Sequence, residues 1–119
     1  MRIKRLALLS LCWALAQLSL SNVAHAAGGY VYITDVSTLQ YQMGADGAVY
    51  FRNLNQYNGS VTGCCYAFAL DTTTPYGKSA WALILLKMAT AGGLYVYVSE
   101  TNPPTSGNSA LVQQVGNWQ

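Results

Sequence analysis

From Tyr30 onward, apolar and polar positions alternate with the two-residue period of strands, interrupted once by a longer helical stretch. Tyr30 to Gln42 is rich in strand formers, and its alternation slips around Asp35 to Ser37, which predicts a bulge or bend there. Gly44-Ala45-Asp46-Gly47 is a turn signal, and Val49 to Leu54 then completes a hairpin. After the loop Asn55 to Gly59, Val61 to Leu70 reads as a third strand. Thr74 followed by Pro75 is a helix-start pattern, although Gly77 weakens the first turn and places the firm helix from Lys78 or Ser79. The helix runs through Met88 and stops at Gly92-Gly93, a pair suited to a left-handed C-cap. Leu94 to Glu100 alternates cleanly, with Leu94, Val96 and Val98 on one face and Tyr95, Tyr97 and Ser99 on the other. A Pro-rich loop from Thr101 to Ser109 leads to a closing strand, Ala110 to Trp118.

The predicted order is therefore β-β-β-α-β-β, a mainly β chain with one helix. It fits a small five-stranded barrel of the oligonucleotide/oligosaccharide-binding (OB) type, with an open antiparallel α+β sheet as the alternative. The two differ in whether the first and last strands close on each other.

Ahead of this domain, residues 1–26 have a basic start (Arg2, Lys4, Arg5), an apolar run from Leu6 to Leu20, and a small-residue ending, Ala24-His25-Ala26. That is the layout of a secretory signal peptide, and the run is too short and too interrupted by Ser10, Gln17 and Ser19 to read as a membrane span. Cleavage after Ala26 leaves a single mature domain, residues 27–119, exported to the periplasm or beyond.

Composition changes meaning once that segment is set aside. The 119-residue chain is 52% hydrophobic, only 8% charged, and formally +2. Residues 27–119 keep Arg52, Lys78 and Lys87 against Asp35, Asp46, Asp71 and Glu100, a balance of −1. A nucleic-acid footprint is therefore not expected, since phosphate attraction needs clustered Lys and Arg. His25 is the chain's single histidine and lies in the leader, which leaves the mature domain without a His-dependent triad, Cys-His pair or His-ligated zinc. Neither a metal nor a cofactor is expected, and the few carboxylates are scattered along the chain.

Three features remain as candidate chemistry. Cys64-Cys65 admits three readings: two free thiols with one buried and one exposed, a vicinal disulfide in an oxidising compartment, or pairing between chains. All nine tyrosines fall in the mature domain, and rings with a polar tip suit sugar faces and protein interfaces alike, although a single tyrosine more often just covers a half-buried sheet. Tyr95 and Tyr97 share a face, and Tyr57 beside Asn55 and Asn58 combines a ring with amides in one loop; these five are the candidate ligand contacts. On the helix, Trp81, Ile84, Leu85 and Met88 form the expected core stripe. Leu83 and Leu86 fall on the other side, as a candidate interface between copies, although stray exposed leucines are common.

The signal peptide, the hairpin around Gly44 to Val49, the segment Gly63-Cys64-Cys65-Tyr66-Ala67, the helix Ser79 to Ala91 and the closing Ser109-Ala110-Leu111-Val112 together resemble the receptor-binding B subunits of secreted bacterial AB-type toxins, in particular the subtilase cytotoxin and pertussis-like group. The resemblance spans most of residues 30–118 as an order of elements with short echoes. It implies an OB-type barrel, a ring-shaped homo-oligomer such as a pentamer, binding of cell-surface glycans, and an exported enzymatic partner subunit. Such subunits tie the third strand to the second by a disulfide; here Val49 to Leu54 contains no cysteine. The expected function is a secreted, non-enzymatic, homo-oligomeric binding module for glycans or a cell-surface receptor, without membrane insertion. An extracellular protein-interaction protein without a sugar site is the alternative.

Overall fold

The computed structural model describes residues 27–103 and 109–118; the signal peptide expected over residues 1–26 lies outside the described residues. Six strands form one open mixed sheet: β1 (Gly29–Ile33), β2 (Tyr41–Met43), β3 (Ala48–Phe51), β4 (Phe68–Asp71), β5 (Leu94–Val98) and β6 (Ala110–Gly116), with a single α-helix, α1 (Pro75–Thr90), between β4 and β5. Their order across the sheet is β1-β5-β6-β4-β3-β2, and every pairing is antiparallel except β4 with β6. β1 and β2, consecutive in the chain, thus stand at its two ends.

The bend predicted around Asp35 is a single 3-10 turn at Val36–Thr38. Asp35 caps it by accepting from the Ser37 backbone N–H and hydroxyl at 2.9 and 2.6 Å, and this splits the expected long first strand into β1 and β2. The hairpin β2–β3 turns where expected, with Gly47 at φ +83°. The expected third strand is shorter than its apolar pattern, because residues 61–67 form a loop and pairing begins at Phe68. That loop holds Cys64 and Cys65, both exposed and joined to each other in a disulfide across a cis peptide that brings their α-carbons to 3.1 Å. Free thiols, one buried and one exposed, are therefore not what the fold contains, and neither sulfur is left over for pairing between chains.

The helix starts a turn earlier than Gly77 implied. Thr74 is the N-cap, its hydroxyl oxygen accepting from the Gly77 N–H at 2.9 Å, and Pro75 occupies the first turn. Gly77 is buried and does not weaken this turn: a Cβ there would overlap the Asp71 carbonyl, so the missing side chain is what lets the helix leave β4 so tightly. At the other end the left-handed cap is Ala91 (φ 53°) rather than a glycine, while Gly92 and Gly93 make room for Lys87 and for the Tyr32 ring.

Alternation places Val31 and Ile33, Val49 and Phe51, Phe68 and Leu70, Leu94, Val96 and Val98, and Ala110 and Val112 on one buried face. The helix covers that face with Gly77, Ala80 and Ile84, flanked by Trp81, Leu83 and Met88 packed against the core. The expected stripe is thus rotated. Leu83 belongs to the core side, and Leu85 lies outside at 41% exposure beside Leu86 at 61%. Gly77, Ala80 and Ile84 follow the i, i+3, i+7 spacing, so the small residues rather than the leucines set which side approaches the sheet.

Gly77→Ala is expected to destabilise the domain by at least 1–3 kcal/mol, roughly the overpacking range, because the atom it would strike is backbone. A substantial fall in the thermal unfolding midpoint by circular dichroism checks this, with Ser79→Ala on the exposed side of the same helix as the control that should stay close to the parent.

Candidate ligand-binding face

The opposite face of the sheet is not covered by the helix, and the same alternation fills it with rings. β1 and β5 pair with Tyr30 opposite Tyr97 and Tyr32 opposite Tyr95. Cross-strand neighbours lie close enough for their side chains to touch. The Tyr32 and Tyr95 rings stack at 4.6 Å between centroids, and Tyr30 meets Tyr97 edge-on at 4.8 Å. On the far side of β5, Tyr95 faces Gly116, which has no side chain to contribute. Trp118 folds back into that space: it stacks on Tyr95 at 4.5 Å and meets Tyr30 edge-on at 5.0 Å. A Cβ at Gly116 would come within 2.7 Å of the Trp118 Nε1, and one at Gly93 within 2.6 Å of the Tyr32 hydroxyl oxygen, so both glycines are needed for the rings to close up.

The result is a ledge of five rings, Tyr30, Tyr32, Tyr95, Tyr97 and Trp118. Because Tyr32, Tyr95 and Trp118 stack on one another, much of their ring surface is used internally. Trp118 (59% exposed) and Tyr30 (46% exposed) are the parts most open to a ligand. Polar groups stand at their margin: the Tyr30 hydroxyl donates to Gln114 Oε1 at 3.2 Å, and Gln114 lies opposite Tyr97. An apolar surface rimmed by hydroxyls and an amide offers dispersion to C–H groups and hydrogen bonds to hydroxyls.

Farther along the same face, between β3, β4 and the start of β6, lies an open recess of about 370 Å³ lined by Asp46, Tyr50, Ala69, Asp71, Ser109 and Leu111 among others. It brings together two carboxylates that are far apart in sequence. The Tyr50 hydroxyl donates to Asp46 Oδ2, and the Ala48 N–H donates to Oδ1 at 3.1 Å. These bonds hold the Asp46 carboxyl below the ordinary range and push the Tyr50 phenol above its own. Asp71 is lowered by the Thr73 hydroxyl and backbone N–H, which reach its Oδ1 at 2.6 and 2.9 Å; the Asp46 charge opposes this. Paired-carboxylate hydrolysis needs one carboxyl held protonated, and both of these are shifted the other way. The recess can accept hydrogen bonds from a ligand at its carboxylates. Among the described residues no three His, Cys, Asp or Glu side chains gather as a metal site, and no helix is long and apolar enough to cross a membrane.

Of the residues singled out from sequence, Tyr95 and Tyr97 sit at the centre of the ledge. Tyr57, Asn55 and Asn58 do not join it as free groups. The Tyr57 ring packs against the core and its hydroxyl bonds Thr38 Oγ1 at 2.6 Å. Asn58 Nδ2 donates to the Tyr30 carbonyl at 3.0 Å while its Oδ1 accepts from the Ser60 N–H at 2.9 Å, so this amide ties the loop to the outer edge of β1. Asn55 Oδ1 is buried and meets no donor among the described residues. Sequence reasoning missed Tyr30, Tyr32 and Trp118 as partners of the pair. The repeated Tyr-Val-Tyr of residues 30–32 and 95–97 was the available signal, because two strands with the same inside-outside pattern can pair ring to ring.

Comparison with protein-family models, curated proteins and solved structures finds no match in any of the three, so a functional reading rests on this geometry.

Spectrophotometric titration should show Tyr50 and the partly buried Tyr76 ionising above the ordinary phenol range, and Asp46→Asn should return the Tyr50 component alone toward that range. In the acid direction the sign is fixed by the lowered carboxyls. A carboxyl whose folded pKa is depressed stabilises the fold above the usual carboxylate pKa and loses that contribution as pH falls below it. The melting temperature of Asp46→Asn should therefore lie below the parent near neutral pH and converge with it as pH falls through the depressed Asp46 pKa.

Proposed function

We propose that this chain is an exported, non-enzymatic binding module whose ring ledge holds glycans, either free or carried on a cell-surface receptor. The observation that carries the reading is the ledge itself: five aromatic side chains from β1, β5 and the segment after β6, rimmed by the Tyr30 hydroxyl and Gln114. An exposed indole beside hydroxyl and amide groups matches the mixed apolar and polar character of a sugar.

In the same reading β1 and β2 are two halves of one bent strand, and the sheet curls into a five-stranded OB-type barrel. Supporting this, β1 and β2 are consecutive, stand at opposite ends of the strand order, and flank the 3-10 turn on which α1 packs. The parallel β4–β6 pair and the helix just before β5 also agree with it. Copies associate through the outward side of α1, where Leu85 and Leu86 are exposed; Leu83 is taken up by the core. An exported enzymatic subunit is a further partner in this reading, and a protein-interaction role without a sugar site is what an unresponsive ledge would leave.

A glycan array probed with the mature domain should give saturable binding that Trp118→Ala reduces by about tenfold, roughly the upper end of one aromatic stacking contact. Saturable binding unaffected by Trp118→Ala would move the site away from the ledge, and an array blank at high protein density would end the glycan reading. Light scattering after size exclusion should report a mass above the monomer at micromolar protein, shifted toward monomer by Leu86→Glu.

A further inference from the structure

Resting on the glycan reading, we propose that the ring ledge and the acidic recess are two parts of one elongated site, and that its ligand is an uncharged linear oligosaccharide several units long rather than a sialylated or sulfated one. The link between the two is β6. Its residue Leu111 lines the recess and its residue Gln114 borders the ledge. Three residues apart in a regular strand, these side chains would face opposite sides of the sheet. A register shift resolves this: Tyr97 pairs with Gln114 but Val98 pairs with Val112, so Gln113 is an extra residue and both Leu111 and Gln114 face outward. A bulge re-aims side chains in this way. Here it makes one continuous outer face: Leu111 and Gln114 stand opposite Ser99 and Tyr97, two residues apart on β5, so the margins of the two regions lie about 7 Å apart along the strand at ~3.3 Å per residue.

The charge on this face selects against anions. Asp46 and Asp71 both line the recess, and the basic side chains nearby are not placed to offset them: Lys78 and Lys87 lie on α1, and Arg52 follows β3 outside the recess lining. The bonds that Asp71 accepts from within the described residues go to Oδ1, which leaves Oδ2 to accept from a sugar hydroxyl. A ligand carboxylate or sulfate entering beside these two groups would meet like charge, whereas a neutral polyol would find acceptors. Ring stacking on Trp118 at one end and hydroxyl capture at Asp71 on the other require a chain long enough to reach both.

The test measures affinity of the mature domain for neutral linear di-, tetra- and hexasaccharides and for the same chains capped with sialic acid or sulfate. Affinity should rise about tenfold from the disaccharide to the hexasaccharide, and anionic capping should remove that gain. Asp71→Asn keeps an Oδ1 acceptor for the Thr73 turn; it should flatten the length dependence and reduce the penalty for anions, whereas Ser79→Ala, on the helix away from the site, should change neither. Asp46→Asn serves as a second variant, and unfolding midpoints establish that each is folded. Neutral glycans bound with no length dependence, a preference for the sialylated or sulfated forms, or an unchanged length profile in both Asp variants would each overturn the elongated neutral site while leaving glycan binding intact. Failure of every glycan, with the parent folded, would instead overturn the glycan reading and this inference together.

Discussion

The short parallel ladder between β4 and β6 is the pairing on which the rest of the architecture depends. Among the described residues two register pairs make it, Phe68 with Ala110 and Ala69 with Leu111. On one side of it lies the antiparallel run β2-β3-β4, built by a hairpin and its neighbour; on the other lies β6-β5-β1. Without this ladder the chain would hold two small sheets, neither able to bury a core alone. With it, Phe68, Ala110 and Val112 join the same apolar layer as Val31 and Val96, and Leu111 joins the same outer face as the rings. A parallel pair needs a long crossover, and α1 with β5 provides it, which is why a tight helix start at Gly77 matters to the sheet as well as to the helix.

The two faces of the sheet are made by one rule and put to opposite uses. Inside, every second residue is aliphatic or Phe and packs under Ile84. Outside, the same strands carry Tyr, and the rings are spaced by the sheet itself because Tyr30, Tyr32, Tyr95 and Tyr97 lie in direct register. Trp118 is added from beyond the last strand, into a gap that glycine leaves open at residue 116. The sugar-facing surface proposed here therefore costs the fold little. Its rings are positioned by backbone pairing, and its two aspartates already serve turns through Ala48 and Thr73.

What could be read without coordinates follows from local chemistry. The hairpin at Gly47, the Thr74 cap with Pro75 behind it, the single helix and the alternation of β5 are each decided by residues within a few positions of one another. The vicinal cysteines and the shared face of Tyr95 and Tyr97 belong to the same class, and so did the bend at Asp35. The helix stripe departs from its expected position because Leu83 and Leu85 are the same residue type, and only the close approach permitted by Gly77 and Ala80 decides which of them meets the sheet. The loop Tyr57-Asn58 offers no free groups for a related reason. Its amide and hydroxyl look available in sequence, but they are spent on Tyr30 and Thr38, partners 28 and 19 residues away.

The sequence by itself determined which segments extend, which one coils and which side of each strand is apolar, because those properties have periods of two to four residues. Tertiary structure alone decided that Tyr30 and Tyr32 meet Tyr95 and Tyr97, that Trp118 returns over Gly116, that Asp46 and Asp71 share a recess, and that β6 is bulged at Gln113. All of these are contacts across strand pairings, and pairing depends on which apolar faces fit one core. That fit belongs to the whole chain, so no local pattern contains it.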